Sequence, residues 1–185
     1  MKAIDITKEM LAEAKVQASK RDKHIKHHFE VEHLTKEERD TIGFLGEFAG
    51  SVLLGQNWKD NIRKDYVTID TCDIKHQGKL IDIKTETLPY DKLQRIKLNI
   101  IDDEEVYGRR LIHKGQVSLL PKYDIVIFGG FVRNKYDKWY PFGFLETKHI
   151  LNNYKVTQNR PDGGLYPFAA LPVKSTELKD IEEIL

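Results

Sequence analysis

A chain of 185 residues, 40% of them hydrophobic and 10% aromatic, fits one globular domain able to bury a real core. Its formal net charge of +1, within a charged fraction of 32%, argues against a protein that coats duplex by bulk counterion release, so contacts with phosphates must be local. No apolar stretch is long enough to cross a bilayer, the N-terminus MKAIDITKEM lacks a secretory signal, and the single cysteine, Cys72, excludes an internal disulfide or a cysteine-held cluster. A cytoplasmic protein without a membrane partner is the expectation.

Residues 7–28 carry Met10, Leu11, Ala14 and Ala18 at helical spacing and predict a charged N-terminal helix. Its basic end, with Lys20, Arg21, Lys23, Lys26 and three histidines, suits either a solvated face or phosphate contacts. A second helix starts at Thr35, because Glu38 three residues on forms a capping box, and it ends at Gly55. Ile42, Leu45, Ala49, Val52 and Leu53 form its apolar stripe. Gly43 and Gly50 flank Glu47, and each costs about 1 kcal/mol against alanine, which predicts close approach of another backbone there.

Residues 66–86 read as a hairpin, YVTIDTCDI then KLIDIKTET, turning near Gly78. Between residues 88 and 120 two readings stay open: Ile96, Leu98 and Ile100 alternate like a strand, and residues 111–120 suit a helix. The run DIVIFGGFV, 124–132, predicts a central strand covered on both faces. Beyond it come a strand passing into a short helix (KWYPFGFLETKHILNNY), a turn at 162–164, a strand over 168–173 and a last helix near Leu178. Together these predict a single α/β domain over 1–185, a mixed central sheet flanked by helices in three layers. Its core spans about 35–132, with the helix of 7–28 before it and a strand and helix extension over 133–185.

Side chains alternate along a strand, so Asp82, Lys84 and Glu86 share one face and Ile81, Ile83 and Thr85 the other. The hairpin turn returns Asp73 toward Asp82, placing two carboxylates and an ammonium in one pocket. Paired carboxylates repel unless a cation lies between them, and hard oxygen ligands favour Mg2+ or Mn2+ over zinc. Such an ion activates water and polarises a phosphoryl oxygen, while Lys84 orients the water or offsets transition-state charge.

The stretch TCDIKHQGKLIDIKTE resembles the PD-(D/E)XK nuclease motif, an acid, a short hairpin and then Asp-x-Lys. Asp73 matches the first acid, Asp82 and Lys84 the second acid and the lysine. Glu47, in GFLGEFAG, matches the helical glutamate that many members carry. The resemblance covers about 41–132 and implies a restriction-endonuclease-like fold and magnesium-dependent cleavage of nucleic acid, DNA ahead of RNA. It makes Asp73, Asp82 and Glu47 the metal ligands. Cys72 replaces the motif's proline, and no Gln-x-x-x-Tyr follows Lys84, which makes the exonuclease branch a poor match.

Asp70 and Glu86 are the alternative extra ligands, and His24, His28 and His33 have spacing suited to a transition metal. Tyr90, Tyr107, Trp139 and Tyr140 suit base stacking or a core, and the acidic run at 102–105 reads as a solvated loop that repels nucleic acid. The rival function is a non-catalytic nucleic-acid-binding or assembly protein on the same fold, and a homodimer is left open.

Overall fold

Alternate residues of the apolar run 125–132 face two different cores, and this sets the architecture. In the computed structural model, which describes residues 2–22, 34–62 and 73–185, Ile125, Ile127 and Phe131 enter one hydrophobic cluster and Val126 and Phe128 another. A strand covered on both faces needs apolar side chains throughout, as expected for this segment.

In chain order the elements are β1 (Ile4–Asp5), α1 (Lys8–Asp22), α2 (Lys36–Leu53), β2 (Ile74–His76), β3 (Lys79–Leu88), α3 (Tyr90–Lys97), β4 (Arg109–His113), β5 (Ile125–Val132), β6 (Lys135–Glu146), α4 (Thr147–Asn153), β7 (Thr157–Asn159) and β8 (Leu165–Lys174). The main sheet has the order β1-β6-β5-β3-β2 and is mixed: β3 runs parallel to β5, and the other neighbours are antiparallel. Parallel neighbours require a crossover, and α3 and β4 lie within it. One face of the sheet is covered by α1 and α2, with Met10, Ala14, Phe44 and Phe48 packed in the same cluster as Ile81 and Ile83.

The opposite face carries α3 and α4, as a helix-flanked sheet requires, and also a second antiparallel sheet in the order β4-β8-β7. Sequence periodicity did not reveal this second sheet. Leu93, Ile96, Ile112, Ile150 and Leu171 join it to Val126 and Phe128.

The start of α2 follows its sequence signature. The Glu38 N–H donates to the Thr35 hydroxyl at 3.2 Å, and the Thr35 N–H donates to the Glu38 carboxylate at 2.8 Å. The helix stops at Leu53, two residues before Gly55 takes φ 70°. Its packing on β3 corrects the glycine expectation in part. A Cβ on Gly46 would overlap the Thr85 hydroxyl, and one on Gly50 would approach Ile83 Cδ1 to 2.8 Å, but one on Gly43 would meet nothing within 4 Å. The close approach is therefore to strand side chains rather than to backbone, and it involves Gly46 and Gly50. Val52, assigned to the apolar stripe, is 38% exposed.

Other expectations change where burial overrides local pattern. The open strand reading of Ile96, Leu98 and Ile100 gives way to α3, which ends at Lys97: Leu93 and Ile96 are buried three apart while Leu98 and Ile100 are exposed. The proposed helix of 111–120 divides into β4 and a 3-10 segment, Lys114–Lys122. The last helix is replaced by two 3-10 turns, Ser175–Glu177 and Ile181–Ile184, on either side of Leu178. The N-terminal helix is seen over Lys8–Asp22, and residues 23–28 of its expected span, like residues 66–72 of the hairpin, lie outside the described residues. No helix among the described residues is long and apolar enough to cross a membrane.

Candidate active site

The hairpin that carries the acids turns through Gln77 and Gly78, with φ of 48° and 80°. Two consecutive positive-φ residues match the sense of twist of the flanking strands, and Gly78 adopts that conformation at no steric cost. The turn fixes the pairs Ile74–Ile81, Lys75–Leu80 and His76–Lys79. Asp73 stands one residue beyond the first pair, which sets it beside Asp82. Its N–H donates to the Ile81 carbonyl at 3.2 Å, and its carboxylate accepts the Ile83 N–H at 2.8 Å, taking the place of a ladder carbonyl.

Strand alternation then sorts β3. Ile81 and Ile83 enter the cluster beneath α1 and α2, and Thr85 meets Gly46. Asp82, Lys84 and Glu86 face the other way. The Lys84 Nζ lies 2.8 Å from Asp82 Oδ1 and 2.7 Å from Oδ2, with Asp82 only 3% exposed. Oδ2 is buried and, despite that proximity, receives no well-directed hydrogen bond. An ion pair this far from water costs desolvation that its attraction only partly returns, so it is a poor device for stability alone.

Glu47 comes from α2 and is buried. Asp73 lies directly before the edge strand β2, and it feels both other acids. Burial, then Glu47, then Asp82 push its carboxyl well above the ordinary value of 3.8, while Lys84 and the Ile83 N–H pull it down. Three carboxylates against one ammonium leave two negative charges when all are ionised.

That excess of negative charge is what a hard divalent cation would offset. Asp73, Asp82 and Glu47 are the residues that would hold it. As they stand, however, no group of three or more His, Cys, Asp or Glu among the described residues is arranged as a metal cage. Lys84 spans both oxygens of Asp82, so a cation there must share the carboxylate with the ammonium or displace it.

Of the alternative ligands, Glu86 is already paired: it accepts from the fully buried Arg110 of β4, which also donates to the Tyr107 carbonyl. Sequence reasoning missed Arg110, since neither arginine of RRLIH carries a signal of where its guanidinium goes. Asp70, His24, His28 and His33 lie outside the described residues.

Among the aromatic candidates, Trp139 is wholly buried and donates to the Thr85 hydroxyl at 3.2 Å, and Tyr140 lies under Lys97 at 4.8 Å. The Tyr107 hydroxyl accepts from Arg133 at 2.9 Å, and Tyr90 is 64% exposed. The acidic run 102–105 is not simply solvated: Glu105 binds Lys92 and Arg95, both at 2.7 Å, and Asp103 holds Thr176. At the basic end of α1, the Arg21 guanidinium packs 5.8 Å above the Phe44 ring. No family model, curated protein or solved structure matches the chain.

Proposed function

We propose that the chain is a metal-dependent nuclease that hydrolyses phosphodiester bonds in nucleic acid, DNA ahead of RNA. The observation that carries this reading is the meeting of Asp73, Asp82 and Lys84 on the β2–β3 hairpin, with Glu47 of α2 close enough to raise the Asp73 pKa. The order of helix, acidic hairpin, crossover helix and parallel strand also agrees with the restriction-endonuclease-like core that the motif implies.

A bound Mg2+ or Mn2+ supplies an activated water and a Lewis acid for the phosphoryl oxygen. Asp73 and Asp82 would hold that ion, and Glu47 would be the third oxygen donor, from the helix. The Ile83 N–H fixes the Asp73 carboxylate, so one ligand is oriented by backbone rather than by a flexible partner. Lys84 keeps its ammonium at Asp82, where it offsets charge that develops on the scissile phosphate. Exposed Lys75 and Lys79 on the same hairpin supply local phosphate contacts, as the near-neutral net charge requires.

One observation favours the non-catalytic rival: Lys84 engages both Asp82 oxygens, the pattern of a plain ion pair. Thermal melting separates the two readings. A ligand that binds the folded state raises Tm by mass action. The nuclease reading expects a higher Tm in manganese or magnesium than in EDTA, lost in Asp82→Ala. An unchanged Tm at millimolar metal would overturn it.

A further inference from the structure

Lys84 stands two residues from Asp82 on one side and two from Glu86 on the other, and along a strand that spacing is about 6.6 Å either way. All three side chains point to the same face of β3. The ammonium already reaches Asp82 across this spacing, and the same spacing along the strand separates Lys84 from Glu86. Something other than distance selects Asp82.

The second sheet supplies the answer. Arg110 of β4 is 1% exposed and places one guanidinium nitrogen on the Glu86 carboxylate and another on the Tyr107 carbonyl. Its guanidinium also lies 5.5 Å above the Phe142 ring. These contacts hold the guanidinium in one place, and Glu86 meets a positive charge before Lys84 can supply one.

We infer that Arg110 is a positioning residue: by neutralising Glu86 it leaves the Lys84 ammonium to Asp82 and to the phosphate that reacts there. Whether that ammonium serves cleavage rests on the nuclease reading; which carboxylate it binds does not. The second sheet thereby acquires a role beyond covering the core, since it carries the charge that keeps the acid-lysine pair in register.

Crystal structures of variants at pH 8 test the contact directly. In Arg110→Met, the Lys84 Nζ should leave Asp82 and lie within hydrogen-bond distance of Glu86. In the double variant Glu86→Gln/Arg110→Met it should return to Asp82. Should Arg110→Met fail to fold, Arg110→Gln, which keeps a donor without the charge, reads the same contact. An Nζ that stays on Asp82 without Arg110 overturns the inference, including the case in which Glu86 simply takes up a proton.

Cleavage in magnesium gives the functional arm. Arg110→Met should lose at least tenfold in kcat with little change in KM, at a temperature well below its Tm, and the double variant should recover. Wild-type kcat in a folded Arg110→Met protein would also overturn the positioning role. Absence of cleavage by the wild type would instead remove the nuclease reading while the crystallographic contact still decides which carboxylate Arg110 reserves for Lys84.

Discussion

Gly46→Ala tests the contact that brings α2, and with it Glu47, against β3. A new Cβ would overlap the Thr85 hydroxyl and lie 2.7 Å from the Thr85 Cβ, against about 3.5–4.0 Å for comfortable carbon contact. Rotating Thr85 moves its hydroxyl but not its Cβ, so helix and strand must separate by several tenths of an ångström or more. Overpacking of this kind costs about 1–3 kcal/mol. Displacing the hydroxyl also strands the buried Trp139 N–H, now 3.2 Å from it, for about 1–3 kcal/mol more. Against this stands about 1 kcal/mol gained by replacing helical glycine with alanine.

The net expectation for Gly46→Ala is a loss near 3 kcal/mol, within a range of about 1–5. Gly43→Ala is the internal control. It lies one turn away on the same helix with nothing within 4 Å of the added methyl, and should gain up to about 1 kcal/mol. Urea unfolding of both variants gives the difference from midpoints at unchanged slope. Equal stability in the two variants would refute the packing argument. Manganese affinity should fall in Gly46→Ala and hold in Gly43→Ala if Glu47 serves the proposed metal.

Two further predictions concern charge. Asp73 has a folded pKa above its ordinary 3.8, so the stability it permits is fully present below pH 3.8 and is lost as pH rises through the folded value. Asp73→Asn, which retains an acceptor for the Ile83 N–H, should therefore melt above wild type at pH 7 in EDTA, with the gap closing toward pH 3.8. A lower Tm at pH 7 would contradict the electrostatic account. Glu105 is the opposite case: hydrogen bonds from Lys92 and the Asp102 N–H bring its pKa from 4.5 down to about 2. Its contribution is present above pH 4.5 and lost as pH falls toward 2, so Glu105→Gln should melt below wild type at pH 6 and converge with it near pH 2. A gap that persists at pH 2 would assign the loss to something other than charge.

How far these features were legible in the sequence depends on whether their cause is local. The capping box of Thr35 and Glu38, the positive-φ turn at Gly78 and the doubly covered strand at 125–132 each express a short-range rule, and each stands where the sequence placed it. The proximity of Asp73, Asp82 and Lys84 was readable for the same reason: strand period and one tight turn bring the three together. Glu47 required a motif resemblance, because its approach to Asp73 depends on two glycines meeting Thr85 and Ile83 across the sheet. Long-range effects escaped. Leu98 and Ile100 looked like strand positions until tertiary packing exposed them, and the two-residue β1 gains its identity from pairing with Trp139 and Lys138 rather than from its own pattern. Arg110 is the extreme case, a buried guanidinium whose partner Glu86 lies 24 residues away in sequence.

The most direct test of the central claim is cleavage of labelled single-stranded, duplex and branched DNA and of RNA in magnesium by wild type and Asp82→Asn, with binding measured in EDTA at one fixed salt concentration. The substitution removes a ligand and a negative charge together. Cleavage should be abolished, whereas binding, governed mainly by basic groups such as Lys75 and Lys79, should be equal or tighter. Lys84→Ala should likewise lose cleavage yet retain the manganese-induced rise in Tm. Wild-type cleavage that persists unchanged in Asp82→Asn, or tight binding by a wild type that cleaves none of these substrates, would contradict the account.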